Sequence, residues 1–139
     1  MKTSKITVEE VIHAETKKVW DYWTTPGHIT KWNFAADDWQ CPRAENDLRS
    51  GGKYFARMEA KDGSFGFDFE AIYDEVIDGE KITYTMGDGR QATTTFENLG
   101  STTKVTTIFD AESTNSIEMQ QEGWLAILNN FKKYVEGDE

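Results

Sequence analysis

The chain has 139 residues, enough for one domain with a single core, and we expect residues 1–139 to form that domain. Asp and Glu number 25 against 15 Lys and Arg, and the net charge of −10 argues against a nucleic-acid partner, because phosphate binding needs clustered cations. The single cysteine, Cys41, excludes an internal disulfide. Since neither an apolar signal core nor a membrane-length run is visible, the sequence predicts a cytoplasmic protein with no membrane span.

The N-terminal part predicts one strand followed by two short helices. Apolar residues alternate with polar ones in a strand with one buried face: Ile6, Val8 and Ile12. Strict alternation places Glu10 on the same buried face. A short helix follows and ends at Thr25-Pro26-Gly27, and a second short helix is expected over Pro26 to Trp32.

The middle of the chain predicts an antiparallel meander. Asn33 to Arg49 shows no period and predicts a loop, with a short edge strand as its most regular structure. Alternating residues then run between four glycine-containing turns at Asp62-Gly63, Asp78-Gly79, Asp88-Gly89 and Asn98 to Ser101. Turn counting gives about five antiparallel strands with one buried face.

The last stretch, Ser116 to Glu136, predicts a long amphipathic helix. Its apolar residues recur at helical spacing on one stripe: Ile117, Trp124, Ile127, Leu128, Phe131, Tyr134 and Val135. Gln120 and Gln121 are expected beside Ile117 on that stripe, and Gly123 leaves a gap before Trp124. A polar, under-filled patch of this kind is typical of one end of a ligand cavity.

These elements combine into an α+β fold of order β-α-α-β-β-β-β-β-α. A curved antiparallel sheet wrapped around the long C-terminal helix, a helix-grip arrangement, buries both apolar faces economically.

Several short segments, in this order and spacing, carry a family resemblance. They are Val19-Trp20 with Pro26 and Trp32, Asp47 to Tyr54 leading to Met58, Asp62-Gly63, Tyr73 to Val76, Ile82 to Tyr84, Asp88 to Arg90, and Gln121 to Trp124 with Ile127-Leu128. Through them the chain resembles the START/Bet v 1-like (SRPBCC) superfamily, in the branch named for the activator of the heat-shock-protein-90 ATPase. The resemblance covers nearly the whole length and implies a cavity between sheet and helix that holds a hydrophobic small molecule. Superfamily members include lipid carriers, hormone receptors, polyketide cyclases and co-chaperone domains.

We therefore expect the protein to bind a small hydrophobic or amphipathic molecule as a carrier or sensor. The expected ligand-binding residues are Trp32, Trp39, Tyr54, Met58, Phe67, Phe69, Tyr84, Gln120, Gln121 and Trp124. Trp32, Phe34 and Trp39, in or beside the aperiodic stretch, are expected to close the cavity at the end that the glutamines line. No cofactor and no metal are predicted, and a monomer and a homodimer both remain open.

Two other functions remain open at this point. An enzyme of cyclase, hydrolase or isomerase type would need an inward acid or base, and Glu10 is the candidate that the sequence offers. His13 and His28 have no partner at metal or triad spacing and are expected at the surface, so no catalytic residue is assigned. A protein-interaction module of chaperone-regulator type is the second alternative, in which exposed aromatic residues would form a contact patch.

Overall fold

The computed structural model describes residues 4–137. Its elements, in chain order, are β1 (Lys5–Ile12), α1 (Thr16–Thr24), α2 (Pro26–Trp32), β2 (Trp39–Asn46), β3 (Lys53–Ala60), β4 (Gly66–Ile77), β5 (Lys81–Met86), β6 (Gln91–Asn98), β7 (Thr103–Asp110) and α3 (Ile117–Gly137). The sheet curls as a half-barrel around the long helix α3, so the predicted helix-grip fold is confirmed. None of the helices within residues 4–137 is both long and apolar enough to cross a membrane.

Within residues 4–137 the sheet has seven strands in the order β1-β7-β6-β5-β4-β3-β2, and every neighbouring pair is antiparallel. The four predicted turns connect β3 through β7. Each contains a glycine with positive φ, a conformation that a side chain disfavours: Gly63 (77°), Gly79 (74°), Gly89 (93°) and Gly100 (100°). The turn chemistry in the sequence therefore fixed the order of five consecutive strands.

The core lies between the inner face of the sheet and one side of α3. Leu128, Phe131 and Val135 of α3 are 0–2 % exposed, as the helical stripe predicted. Helices α1 and α2 pack beside them, and the rings of Trp23 and Trp32 meet Phe131 edge-on at 4.9 and 4.8 Å between centroids. The two short helices thus cover the C-terminal half of α3.

One strand more than expected is present. Strand β2 occupies part of the stretch predicted as a loop, and it forms an edge of the sheet beside β3. Its pairing shifts register between Gln40 and Arg43, and Pro42 has no amide to donate. This irregularity interrupts the alternation, and for that reason the sequence shows no strand period there.

The beginning of α3 also differs from the expected stripe. Ile117 and Met119 are 43 % and 58 % exposed, so Ile117 does not belong to the buried face. The apolar side chains of α3 first become covered at Trp124, which is half-buried.

Candidate functional site

A cavity of about 280 Å³ lies between the sheet and α3. The sheet contributes Val8, Tyr54, Met58, Phe67, Phe69, Tyr73, Ile82, Tyr84, Thr94 and Thr107; the helices contribute Trp23, Trp32, Trp124, Ile127 and Leu128; the residues after α2 and before β6 contribute Asn33 and Arg90. Most of this surface is apolar, and a few polar groups interrupt it. Such a lining is typical of a small-molecule site.

The sheet wall is built from aromatic residues on three adjacent strands. Tyr73 lies directly opposite Tyr84 in the β4–β5 ladder, and Tyr54 lies one strand further on, opposite Ala71. Because residues at alternate positions share a face, these rings and that of Phe69 all point inward. The rings of Tyr54 and Tyr84 are nearly parallel at 9°, with centroids 6.1 Å apart.

The helix wall is held by a stacked ring pair. Trp124 of α3 lies 3.9 Å from Phe109 of β7 between centroids, with the planes 11° apart. Phe109 is fully buried, so it fixes the indole against the sheet. Leu128, one turn later, continues the wall, and Trp32 completes the end covered by α2. The indole nitrogen of Trp32 donates to the Tyr22 carbonyl at 2.9 Å, which locks that ring.

Polar groups in the lining are mostly paired with one another. The Asn33 amide donates to the Tyr54 hydroxyl at 3.1 Å, and the Tyr73 hydroxyl donates to the Asn46 amide oxygen at 2.6 Å. Thr94 and Thr107 face each other across β6 and β7, with hydroxyls 2.8 Å apart. The Tyr84 hydroxyl has no hydrogen-bond partner within residues 4–137. Every fully buried side-chain nitrogen or oxygen in those residues does have a hydrogen-bond partner, so the Tyr84 hydroxyl oxygen is not fully buried.

Burial governs the ionisation of these tyrosines. Desolvation raises the pKa of Tyr54 well above its ordinary value, and the neighbouring Tyr84 and Tyr73 raise it further. Desolvation also raises the pKa of Tyr84, against a smaller lowering effect of Arg90. Both hydroxyls therefore stay protonated at neutral pH and can donate hydrogen bonds.

Arg90 is the charged member of the lining, and its charge is already engaged. Its Nε donates to the Asp88 carboxylate at 2.7 Å, and its Nη1 donates to the Asp110 carbonyl at 3.3 Å. Desolvation raises the pKa of Asp88, but the hydrogen bonds and charge of Arg90 outweigh it and hold the pKa below its usual range. The pair is ionised at neutral pH and contributes little net charge to the cavity.

An aromatic cluster in which Phe65 and Phe67 are exposed and Trp39 is half-buried lies beside the cavity mouth, and we call these three residues the mouth cluster. Its ring centroids lie 5.9 to 6.3 Å apart. Phe67 lines the cavity and is also 41 % exposed, so it marks the opening, and Phe65 is 62 % exposed.

Seven of the ten predicted ligand-binding residues line the cavity: Trp32, Tyr54, Met58, Phe67, Phe69, Tyr84 and Trp124. The three residues expected to close the cavity do not form a cap together, and Phe34 is not among the lining residues. Trp32 is 3 % exposed and belongs to the inner wall instead of a cap. Trp39 is outside the lining and reaches the mouth through its contact with Phe67.

The two predicted glutamines lie outside the cavity lining, and the side chains of both make hydrogen bonds to the backbone. Gln120 is buried, and its amide group binds the backbone of Glu112 in both directions, at 2.8 and 3.1 Å, and the Asn115 carbonyl at 2.9 Å. It anchors the loop that enters α3. Gln121 is exposed and donates to the Thr7 carbonyl of β1 at 3.1 Å. Neither side chain lines the cavity.

Ten lining residues were not among the predicted ligand-binding residues, and four of the ten are polar: Asn33, Arg90, Thr94 and Thr107. Thr94 and Thr107 lie on inward positions of predicted strands, so their alternation contained the signal. Asn33 caps the end of α2, and Arg90 follows the Asp88-Gly89 turn. The local sequence does not indicate that Asn33 or Arg90 lies at the cavity, because their positions there depend on how the helices pack and how the sheet curves.

The acid candidate does not reach the cavity. Glu10 is half-buried on the inner side of β1, opposite Val105, as the alternation predicted, but it is not among the lining residues. His13 is exposed beside Glu136, whereas His28 is half-buried, with its Nδ1 2.7 Å from the Tyr134 hydroxyl. Across residues 4–137, no three His, Cys, Asp or Glu side chains converge on a metal-binding position.

A curled antiparallel sheet that holds a long C-terminal helix over an apolar cavity defines the class of this protein. It is the helix-grip fold of the Bet v 1-like (SRPBCC) proteins, a fold that commonly binds ligands. The family model described as "Activator of Hsp90 ATPase homolog 1-like protein" matches residues 13–136, and the chain belongs to that family.

Solved structures show the same architecture. An AHSA1-like protein from Aeromonas hydrophila is 40 % identical with a TM-score of 0.91, over 96 % of this chain and 93 % of that chain. A protein from Cytophaga hutchinsonii is 49 % identical with a TM-score of 0.83, over the same shares. A protein from Chromobacterium violaceum, 24 % identical, shares the fold with a TM-score of 0.86 over 97 % of this chain and 99 % of that chain. No curated protein matches the chain.

Proposed function

We propose that the protein binds a small hydrophobic or amphipathic molecule in the cavity between sheet and α3, as a carrier or sensor. The observation that supports this most is the cavity itself, about 280 Å³ in volume, which eight aromatic residues of the described part of the chain line together with aliphatic side chains. Transfer of an apolar molecule from water into an apolar cavity of this kind lowers the free energy, since the cavity binds water poorly.

The volume limits the size of the ligand. Apolar cavities of about 150 Å³ accept benzene, so a volume nearly twice as large suits a monocyclic ring with a short chain, or two fused rings. Long acyl chains would have to emerge past Phe67 and lie against the mouth cluster. Phe67 joins the two regions, because it lines the cavity and is also exposed.

Native mass spectrometry of the freshly purified protein, followed by titration with propylbenzene, tests the proposal. Wild-type protein should bind one propylbenzene per chain. Met58→Trp, which adds an indole to the lining, should weaken binding about tenfold or more, because the indole and the ligand compete for the same volume. Ile72→Trp is the matched control, since Ile72 is 46 % exposed on the outer face of β4 and should leave binding unchanged.

Two results would contradict the proposal. One is a folded wild-type protein that carries no small molecule and binds no propylbenzene at its solubility limit. The other is equal binding by wild type and a folded Met58→Trp variant, which would place the bound molecule outside the cavity.

A protein-interaction function is the second candidate, and the mouth cluster favours it. Phe65 and Phe67 are exposed beside the half-buried Trp39, and exposed aromatic residues grouped in this way are typical of contact sites. The family description suggests the ATPase of Hsp90 as the partner to test. If this candidate is right, the protein should raise that ATPase rate, and Phe65→Ser should abolish the increase while propylbenzene binding stays at the wild-type level. An ATPase rate that the protein leaves unchanged would remove it.

A further inference from the structure

The tyrosine side chains of the cavity differ in what their hydroxyls are free to do. The Tyr73 hydroxyl donates its hydrogen bond to the Asn46 amide oxygen at 2.6 Å. The Tyr54 hydroxyl accepts a hydrogen bond from the Asn33 amide at 3.1 Å, so its own O–H is still available to donate. The Tyr84 hydroxyl has no partner among residues 4–137. Two donors therefore remain on the sheet wall, at Tyr54 and Tyr84.

These two donors lie near each other and face the same space. Tyr54 and Tyr84 belong to β3 and β5, on either side of β4, and their rings are nearly parallel with centroids 6.1 Å apart. Both side chains are half-buried although they lie inside the sheet–helix interface, because the cavity exposes one side of each ring. Burial raises the pKa of both hydroxyls, so both stay protonated and can donate a hydrogen bond to the ligand.

The charges around the cavity do not favour an anionic ligand. Of the described residues that line the cavity, Arg90 alone is charged, and the Asp88 carboxylate accepts a hydrogen bond from it at 2.7 Å and neutralises it. Arg90 also donates to the backbone carbonyl of Asp110, and the Asp110 carboxylate is paired with Lys5. A carboxylate in this cavity would lose its hydration without gaining a free cation.

We propose that the ligand carries an uncharged hydrogen-bond acceptor, such as a ketone, ester or amide carbonyl, which accepts a hydrogen bond from the Tyr84 hydroxyl. Tyr54 supplies the second donor on the same wall, and the apolar part of the ligand lies toward Trp124 and Leu128. This inference rests on the proposed function, because it specifies the chemistry of the molecule bound in the same cavity. The two hydroxyl donors make the site prefer ligands with an uncharged acceptor, a preference that the size of the cavity and its apolar walls do not provide.

A pair of probes that differ in a single group tests the inference. Propiophenone and propylbenzene share one skeleton, with a carbonyl in the first where the second has a methylene. The two probes differ in hydration free energy, but this difference is the same for every variant, so it cancels when the ratio of the two Kd values in a variant is compared with the ratio in wild type. Tyr84→Phe should raise the ratio of the propiophenone Kd to the propylbenzene Kd about fivefold, the factor expected for one neutral hydrogen bond. Because the Tyr84 hydroxyl makes no hydrogen bond in the free protein, this variant loses none on folding.

Two further variants show whether an effect of Tyr84→Phe comes from the loss of its hydroxyl or from a general change in the cavity wall. Tyr73→Phe removes a hydroxyl that is committed to Asn46, so the ratio of the two Kd values should stay within about twofold of wild type. Tyr54→Phe should lower the preference for propiophenone to a smaller extent than Tyr84→Phe, because Tyr84 supplies the main hydrogen bond to the ligand and Tyr54 the second. Tyr54→Phe also removes the acceptor of the Asn33 amide.

The outcomes distinguish this inference from the proposed function. If both probes bind wild type and Tyr84→Phe leaves their Kd ratio unchanged, the polar preference is refuted and the cavity function stands. Tighter binding of phenylacetate, an anion of similar size, than of propiophenone would refute the choice of an uncharged group. If neither probe binds wild type, the proposed function itself fails.

Discussion

Truncation of Phe131 to alanine tests how α3 is held in the sheet. Phe131 is 0 % exposed, and its ring meets those of Trp23 and Trp32 edge-on at 4.9 and 4.8 Å. Large-to-small changes of a fully buried phenylalanine cost about 3–5 kcal/mol, since the transfer free energy is lost and a cavity remains. The two edge contacts place Phe131→Ala toward the upper end of that range.

Urea denaturation measures the effect, with Lys133→Ala as the control on the same helix. Lys133 is exposed, so its truncation should stay within about 0.5 kcal/mol. Lys132 is unsuitable because its ammonium donates to the Val11 carbonyl at 2.6 Å and to Glu136 at 2.8 Å. Equal losses of unfolding free energy in Phe131→Ala and Lys133→Ala would show that the register of α3 against the sheet is wrong.

Two further predictions concern α3. Gly123→Ala should raise the free energy of unfolding by about 0.5–1 kcal/mol in urea melts, because the new Cβ meets no atom within 4 Å and glycine is a poor helix former. A lower free energy of unfolding in this variant would show that the space around residue 123 is not open. Desolvation raises the pKa of Glu136, but hydrogen bonds from Lys132 and His13 outweigh it and lower the pKa to about 2. The carboxylate thus stabilises the fold above the unfolded-state pKa of about 4.3, and this contribution disappears as the pH falls through about 2. Glu136→Gln should therefore be less stable than wild type at pH 7, by under about 1 kcal/mol for a partly exposed group, and the difference should vanish on acidification; a difference independent of pH would contradict the assignment.

The sequence predicted the fold well because its signals were local. Glycines in four turns required positive φ, and they set the order of strands β3 to β7 without knowledge of the packing. The stripe of Leu128, Phe131 and Val135 identified the buried side of α3. Strand β2 was harder to predict, because a shifted register and Pro42 remove the alternation on which strand prediction depends.

The candidate site was predictable only on its apolar side. Aromatic residues on inward strand positions, such as Phe69 and Tyr84, reach the cavity because alternation fixes their direction. Polar residues were misjudged, since a glutamine on a helix can bind a ligand or fasten the backbone, and sequence does not decide between these. Gln120 fastens the loop before α3, whereas Asn33 and Arg90 enter the lining from connections that no periodicity describes.

The central claim is that the cavity between the sheet and α3 binds a small apolar molecule. Isotope-filtered NMR on ¹³C-labelled protein with unlabelled propylbenzene tests it most directly. The proposal predicts nuclear Overhauser contacts from the ligand to the Met58 and Leu128 methyl groups, which line opposite walls. Contacts confined to the exposed side chains of Phe65 and Met119, or no contacts at all, would contradict it.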